Sequence, residues 1–361
     1  MKNLISADVL LNLIPFFAIA FLFQLQNHVI SGVTATIALL VLLFAVVSAV
    51  HHAEVIAHKV GEPFGTLVLA LAVTVIETSL LISMLMSSSE KVSSLPRDTI
   101  YATVMIICNG VVGLCLLIGG MHHKEQYFKI EGTGSGFAAL ATLSALVMIM
   151  PLYTVSSPEG TYTDSQLLFV GMSSFLLWMI FVFIQTVRHR DYFLPDSATN
   201  DENTHALPPT ASAASMSFVL LIISLVSVVG LAKSLSPVIE TVVTQYQAPK
   251  AVVGIIIALI VLLPETWAAL RAARADRLQT SMNLAIGSAL ASIGLTIPLI
   301  IAASVVFKFH LNLGLEMKDV VLLCLSFLVG AITLGSGRTN VMQGAIHLVL
   351  FFTFMFLTLV P

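Results

Sequence analysis

The sequence predicts an all-α polytopic membrane protein of about eleven transmembrane helices, with one N-terminal helix followed by two five-helix repeats of inverted topology. Three observations predict this fold. The chain of 361 residues is 58% hydrophobic and only 10% charged, whereas soluble domains carry about a quarter charged residues. Its apolar residues fall into runs that are long enough to cross a bilayer. Two distant runs resemble each other, and each contains one glutamate.

Polar breaks divide the chain into candidate spans, since a membrane-spanning helix needs about 20 mainly apolar residues. The predicted spans are residues 9–25, 31–57, 66–86, 99–120, 136–155, 165–187, 215–235, 249–270, 282–306, 318–336 and 340–360. The first is predicted to be retained, because apolar residues continue past a sequence at 18–20 that resembles a signal-peptidase site. The lipid bilayer is therefore an expected partner, and nucleic acid is not.

The longest polar stretch separates two sets of five spans. The chain is therefore divided into an N-terminal helix (1–30), a first repeat (31–187), a mobile cytoplasmic linker (188–214) and a second repeat (215–361). Because five is odd, the two repeats must enter the membrane from opposite sides. Inverted repeats of this kind place substrate sites near the bilayer midplane.

The two similar runs carry one acid each at the same depth. ALAVTVIET (70–78) and ALIVLLPET (258–266) are identical at five of nine positions, which makes Glu77 and Glu265 equivalent. A carboxylate inside hydrocarbon costs about 2.5–3.5 kcal/mol even on a lenient scale. The sequence therefore predicts that Glu77 and Glu265 form a shared cation- and proton-binding site.

The chemistry of these acids favours exchange of one occupant for another. Carboxylates are the oxygen ligands that hard cations such as Ca²⁺ prefer, and protons compete for the same oxygens. Two buried carboxylates resist standing empty and doubly charged. The metal at Glu77 and Glu265 would thus be transported Ca²⁺, with no resident cofactor.

Further oxygen ligands are expected around the acids. The supporting polar residues are Thr74, Thr78, Asn109, Thr266, Ser288 and Ser292. Pro264 lacks an amide hydrogen, so it frees backbone carbonyls near Ile260 and Val261 as neutral ligands. The alternative for each hydroxyl is a hydrogen bond to its own helix. His347, inside the last span, is expected to hydrogen-bond between helices rather than to contact an ion.

Histidines and acids gather at the inner end of the second span. His52 and His58 lie close in sequence to Glu54 and Glu62, and the charge of a histidine changes near neutral pH. These residues are predicted to form an entrance or gate that senses pH. The alternative is a set of ordinary interfacial polar residues.

Basic residues predict the orientation. With the N-terminus inside, the inner side collects ten lysines and arginines and the outer side six. The positive-inside rule then predicts a cytoplasmic N-terminus and a C-terminus outside. The expected location is the inner (plasma) membrane.

Three separated motifs resemble one known family. HAEVIAHKVGEPFG (52–65) precedes Glu77, PE (264–265) precedes MNLAIGS (282–288), and SGRTNVMQGA (336–345) lies near the end. Together they resemble the cation/proton exchangers of the calcium/cation antiporter superfamily, in particular the bacterial ChaA-type branch. The resemblance covers nearly the whole chain.

This resemblance implies eleven spans and Ca²⁺/H⁺ antiport, with Na⁺ and K⁺ exchange also attributed to the ChaA branch. It implies that Glu77 and Glu265 are the central acids, and that Glu54, Glu62 and Glu240 are the acids at the mouths of the repeats. The family pattern has Gly-Asn before each central acid. Here Val73-Thr74 and Leu262-Leu263 occupy those places, so the second repeat offers fewer side-chain oxygens.

Other functions remain open at this point. One alternative is an Na⁺(K⁺)/H⁺ antiporter with little Ca²⁺ transport, and another is a cation channel, which would use rings or filters of acids or carbonyls. An intramembrane enzyme is not expected, because the chain contains no HExxH zinc motif. The favoured function is secondary antiport that exports a cation by alternating access.

Overall fold

The computed structural model describes residues 2–25, 32–61, 64–87, 92–194, 209–245, 249 and 251–360. The α-helices are α1 (Lys2–Leu25), α2 (Gly32–Val60), α3 (Phe64–Ser87), α4 (Leu95–Met105), α5 (Val112–His123), α6 (Ile130–Ser144), α7 (Asp164–Phe183), α8 (Ala211–Gln245), α9 (Ala251–Arg274), α10 (Leu278–Ala291), α11 (Ile297–Phe307), α12 (Met317–Leu334) and α13 (Val341–Leu359). Within these described ranges, four two-residue strands occur in loops: β1 (Val92–Ser93), β2 (Gln126–Tyr127), β3 (His310–Leu311) and β4 (Arg338–Thr339).

The apolar helices confirm the predicted spans. In the described part of the chain, eight helical stretches are long and apolar enough to cross a membrane. A ninth is the bent helix α9, and two shorter apolar helices cover Val9–Leu25 and Ala70–Met86. These elements correspond one to one to the predicted spans. Helices form there because a helix satisfies its own backbone hydrogen bonds where lipid cannot.

One compact unit contains α1, α2, α3 and α8. Helix α2 packs against the other three. The Ser48 hydroxyl donates a hydrogen bond of 2.9 Å to the Leu11 carbonyl and so joins α2 to α1. Gly230 of α8 lies where an added Cβ would overlap the Leu22 side chain. The absence of a side chain at Gly230 thus lets α8 and α1 approach closely.

The other compact unit contains α4–α7 and α9–α13. In it α9 packs against α4, α5 and α10, and α13 packs against α5. A Cβ at Gly254 would lie 2.8 Å from the Thr99 amide nitrogen, so α9 meets the backbone of α4 directly. Both units take helices from each predicted repeat. The repeats therefore do not coincide with the compact units, and their boundaries stay a prediction.

Loops of this second unit join in two groups. Strand β1 pairs in parallel with β3, and Thr161 bridges the adjacent Asn312. Strand β2 pairs antiparallel with β4, and the Gln126 amide donates to the Ala273 carbonyl at 2.9 Å. An even number of predicted spans lies between any two loops of the same group. If the chain crosses the bilayer at every predicted span, the loops of one group emerge on the same side of the membrane, as their contacts require.

Two long spans share an internal irregularity. Leu95–His123 contains a π-helical segment at Ile106–Val111, and Leu278–Phe307 contains one at Ser292–Thr296. These are the third spans of the two predicted repeats. Further π turns occur at 145–149 and 184–188. A π turn widens the helix locally and is common at functional sites, yet the hydrophobic pattern of these spans gives no sign of it.

The beginning of the polar linker is packed. Arg190–Tyr192 forms a short 3₁₀ turn, and Phe193 is buried with its ring 5.7 Å from that of Phe181. The Phe193 carbonyl accepts a hydrogen bond from the Asn283 amide. Phe193 thus anchors the start of the predicted linker against the helices, and the mobility of the linker stays a prediction. Residues 195–208 lie outside the described residues, and α8 begins at Ala211 rather than at 215.

Candidate cation site

Glu77 lies inside one of the most apolar helices of the chain. It belongs to α3 in the first unit, and 1% of its surface is exposed. Thr74 and Thr78 on the same helix are also buried. The Thr74 hydroxyl donates to the Ala70 carbonyl at 2.8 Å. A hydroxyl that donates to its own helix keeps its oxygen lone pairs, so the Thr74 oxygen could still coordinate a cation beside Glu77.

Glu265 lies immediately after a bend in α9. The two parts of this helix, Ala251–Leu263 and Glu265–Arg274, meet at 53°. Pro264 stands at the junction, and a proline in a helix interior removes one backbone hydrogen bond and is a usual cause of such a bend. Glu265 is buried, with 7% of its surface exposed. The bend agrees with the predicted effect of Pro264, and the release of carbonyls near Ile260 and Val261 stays a prediction.

Ser288 is brought directly onto Glu265. Its hydroxyl donates to Oε1 of the carboxylate across 3.3 Å, and both side chains are buried. The contact joins α10 to α9. Ser292 follows one helical turn later, buried, at the first residue of the π segment in this span. Ser288 and Ser292 are four residues apart and therefore lie on nearly the same face of this span.

The other predicted ligands make contacts of their own. Thr266, half-buried, donates to the Leu262 carbonyl at 2.7 Å. Glu77 and Glu265 belong to different compact units. Within the described ranges, no three His, Cys, Asp or Glu side chains converge as a metal cluster. The joint action of Glu77 and Glu265 stays a prediction.

Asn109 takes part in a buried polar network. Its amide nitrogen donates to the Ser326 hydroxyl at 2.9 Å, and its amide oxygen lies 3.2 Å from Nδ1 of His347. Nε2 of His347 lies 3.2 Å from the Thr333 hydroxyl. Because an amide oxygen only accepts, Nδ1 carries the hydrogen, and Nε2 of the neutral ring accepts from Thr333. All four side chains are buried.

This network ties the π segment that contains Asn109 to α12 and α13. The expectation that His347 hydrogen-bonds between helices is confirmed. The same π segment also packs against α9, which carries Glu265. The amide of Asn109 hydrogen-bonds to His347 and Ser326. These contacts do not test its predicted role as a cation ligand.

The predicted entrance residues have different surroundings. His52 is fully buried, with Nδ1 3.4 Å from the Ser217 hydroxyl of α8, whereas Glu54 is half-buried and His58 is exposed. Glu62 lies outside the described residues. Glu240 lies within α8, and its side chain is not described. His52 therefore lies where α2 packs on α8, and its part in an entrance stays a prediction.

One polar cluster was not expected from the sequence. Asp98, Tyr101 and Asp319 line a cavity in the second unit, together with the ion-paired residues Arg97 and Glu316. Both aspartates lie in the first turn of a helix next to a basic residue. Acids are common there because they complement the helix dipole. The sequence pattern therefore gave no reason to distinguish these two aspartates from the acids that commonly occur in the first turn of a helix.

Comparison with known proteins identifies the family. The family model "Sodium/calcium exchanger protein" matches residues 30–187 and 216–360. The chain is 41% identical over 353 residues to the "Putative ionic transporter y4hA" of Sinorhizobium fredii, covering 97% of this chain and 95% of the relative. It is 34% identical over 321 residues to the "Sodium-potassium/proton antiporter ChaA" of Escherichia coli, covering 88% and 87%.

A solved structure has the same fold. The H⁺/Ca²⁺ exchanger CAX superposes with a TM-score of 0.73 at 17% identity, covering 98% of this chain and 88% of that one. The all-helical architecture expected from the apolar runs is therefore confirmed. The family model covers most of the chain in two segments, whose bounds are nearly those of the predicted repeats. The chain belongs to the sodium/calcium exchanger protein family.

Proposed function

We propose that this protein exchanges an inorganic cation for protons, with the two occupants competing for Glu77 and Glu265. As a member of an antiporter family it is a secondary transporter and not an enzyme. The observation that carries the proposal is the burial of one glutamate in each family-matched segment, 1% exposed at Glu77 and 7% at Glu265. A buried carboxylate inside an apolar span needs a proton or a cation.

The surroundings of Glu265 support exchange between these occupants. The Ser288 hydroxyl is a neutral donor that hydrogen-bonds to the carboxylate. The helix bends by 53° immediately before Glu265. Pro264 would release a backbone carbonyl there, and such carbonyls are usual cation ligands in transporters. A cation that binds displaces the proton, and a proton that binds displaces the cation. Alternating access would deliver each occupant to the opposite side.

We propose Ca²⁺ as the main transported cation, with Na⁺ and K⁺ as further substrates. A hard carboxylate-centred site supports Ca²⁺. The second candidate is an Na⁺(K⁺)/H⁺ antiporter with little Ca²⁺ transport. Two observations favour it: the E. coli relative is named a sodium-potassium/proton antiporter, and Leu262 and Leu263 offer no side-chain oxygens beside Glu265. Membership of an antiporter family argues against a channel.

The chain is a multi-pass membrane protein, and we place its N-terminus in the cytoplasm and its C-terminus outside. The grouping of loops in the second unit supports the crossing pattern. The group that contains β2 and β4 also carries the basic residues Lys124, Lys129, Arg274 and Arg338. Basic loops face the cytoplasm in most membrane proteins. A bacterial-type inner membrane with an inward proton gradient would then drive export of the cation.

The test is cation-triggered proton efflux from acidified, everted membrane vesicles. Ca²⁺, Na⁺ and K⁺ are titrated at several pH values with the wild type, Glu77→Gln and Glu265→Gln. Glu159→Gln, in an exposed loop, is the control. We expect both buried substitutions to abolish exchange and the control to retain it. Full exchange in either buried variant would make that glutamate structural, and absence of cation-dependent proton movement in the wild type would end the proposal.

A further inference from the structure

A polar cavity of about 320 Å³ lies in the second unit, at the end that carries β1 and β3. Residues from α4, α9, α12 and α13 line it. It is separate from the contact between Ser288 and Glu265. Water occupies about 30 Å³ per molecule in the liquid, so the cavity has room for about ten waters, or for a cation that keeps most of its hydration shell.

The described charged residues that line the cavity are three acids and two bases. Arg97 Nη2 lies 2.7 Å from Asp98 Oδ1, and Lys318 Nζ lies 3.2 Å from Glu316 Oε2. These two pairs leave the carboxylate of Asp319, which has no ion pair with any residue that the structure describes. Arg97 is held in place, because it also donates to the Gly314 carbonyl at 2.7 Å. Among the residues that the structure describes, the lining of the cavity therefore has one more acid than it has bases.

A second observation comes from Tyr101. Its side chain lines the cavity and is 4% exposed, and its hydroxyl faces the Asp319 carboxylate without a well-formed hydrogen bond to any described residue. The Phe354 ring meets the tyrosine ring edge-on at 5.4 Å and fixes its position. A buried hydroxyl that lacks a well-formed hydrogen bond is destabilising. A polar occupant of the cavity would remove that destabilisation.

We propose that this cavity is a binding site for a hydrated inorganic cation, held between the Asp319 carboxylate and the Tyr101 hydroxyl. Both groups supply hard oxygen, and neither forms an ion pair with a basic residue in the described part of the chain. The proposal rests on the function proposed above, for which the cavity would be a vestibule. The first turns of α9 line it through Ala251 and Ile255. Glu265 follows Ile255 by ten residues on the same helix, about 15 Å at 1.5 Å per residue.

The direct test uses Tb³⁺, a Ca²⁺-sized probe whose emission is sensitised by a nearby tyrosine. Full-length protein in detergent is titrated with Tb³⁺, and Ca²⁺, Na⁺ or K⁺ is then added to displace it. We expect Asp319→Asn to weaken Tb³⁺ binding at least tenfold, and Tyr101→Phe to remove most of the tyrosine-sensitised emission. Titrations in which both variants match the wild type would overturn the proposal.

Two comparisons separate a binding site from other causes. Glu131→Gln removes an exposed acid from the first turn of α6 at the opposite end of the unit, and it should leave Tb³⁺ binding unchanged. Loss of binding in this control as well would trace the effect to helix stability and would overturn the proposal. In Glu265→Gln the tyrosine-sensitised signal should persist. Its loss there, with retention in Asp319→Asn, would place the ion at Glu265 alone.

Transport supplies an independent readout. In Asp319→Asn the cation concentration for half-maximal exchange from the cavity side should rise about threefold to tenfold, with the maximal rate unchanged, because the cavity would concentrate cations less strongly. High ionic strength should shrink the difference. A wild type that binds Tb³⁺ at Asp319 yet moves no protons would refute the exchange function and leave the cavity site standing.

Discussion

The Ser288 hydroxyl donates a hydrogen bond across 3.3 Å to Oε1 of Glu265, joining α10 to the helix that bends at Pro264. The two residues are 23 positions apart. The sequence predicted both as parts of a cation site, from a repeated acidic motif and from small polar residues in the next span. The contact places a neutral hydroxyl donor on the carboxylate that we propose as part of the cation- and proton-binding site.

Ser288→Ala should weaken cation binding more at acidic pH than at alkaline pH. A hydrogen bond to the charged carboxylate favours that form, so its loss favours the protonated form and the cation meets a stronger competitor. A charge-assisted bond contributes about 1.5–3 kcal/mol. We expect the cation concentration for half-maximal exchange to rise about tenfold at acidic pH. Proton efflux from vesicles at a series of pH values measures it.

The matched control is Ser304→Ala in the same span. The Ser304 hydroxyl donates to the Ile301 carbonyl of its own helix at 2.7 Å, so the variant should retain wild-type cation dependence. Equal cation dependence in Ser288→Ala and the wild type would show that the contact with Glu265 plays no part in exchange.

Pro264→Ala should stabilise the protein and slow transport. Proline in a helix interior is about 3 kcal/mol less favourable than alanine, and alanine restores an amide hydrogen to the bent region of α9. The straighter helix would recover its backbone bonds and withdraw the carbonyls beside Glu265. We expect a higher Tm and an exchange rate reduced at least several-fold, measured by thermal unfolding and by proton efflux. An unchanged rate in a stabilised variant would show that the 53° bend is not required.

Gly344→Ala should destabilise the packing of α13 on α5. A Cβ at this position would overlap the backbone nitrogen of Leu117 and lie 2.9 Å from the Gly113 carbonyl oxygen. Backbone atoms cannot rotate away, so the helices must separate, at a cost of about 1–3 kcal/mol. Thermal unfolding in detergent should show a lower Tm. Gly287→Ala is the control, because a Cβ there meets nothing within 4 Å and alanine favours helix by about 1 kcal/mol.

Asn109→Leu and His347→Leu should each lower the free energy of unfolding, by about 1–3 kcal/mol, since each leaves a buried polar partner unsatisfied. Their effects should be coupled by about 0.5–3 kcal/mol in a double-mutant cycle, because the two side chains share one hydrogen bond. Denaturant unfolding of the two single variants and the double variant measures the coupling. Strictly additive losses would contradict the network.

The motif at 336–345 shows how a family resemblance differs from a structural explanation. In the sequence, SGRTNVMQGA resembled a family motif, but no structural role could be assigned to its residues. The structure shows that Asn340 and Gln343 form a capping box at the start of α13, with Asn340 Oδ1 accepting from the Met342 amide at 3.0 Å. Gly344 then allows the close approach to α5. The motif therefore caps the start of the last span and allows that span to pack closely against α5.

Local sequence alone determined the spans, the bend at Pro264 and the two buried glutamates. Hydrophobic length, a missing amide hydrogen and a carboxylate within hydrocarbon are properties of one segment, so they need no knowledge of neighbours. Tertiary structure decided which polar groups meet. Asn109 and His347 are 238 positions apart, and Tyr101 faces Asp319 only because α4 and α12 border the same cavity. Such contacts depend on how helices pack, which the periodicity of a single helix does not encode.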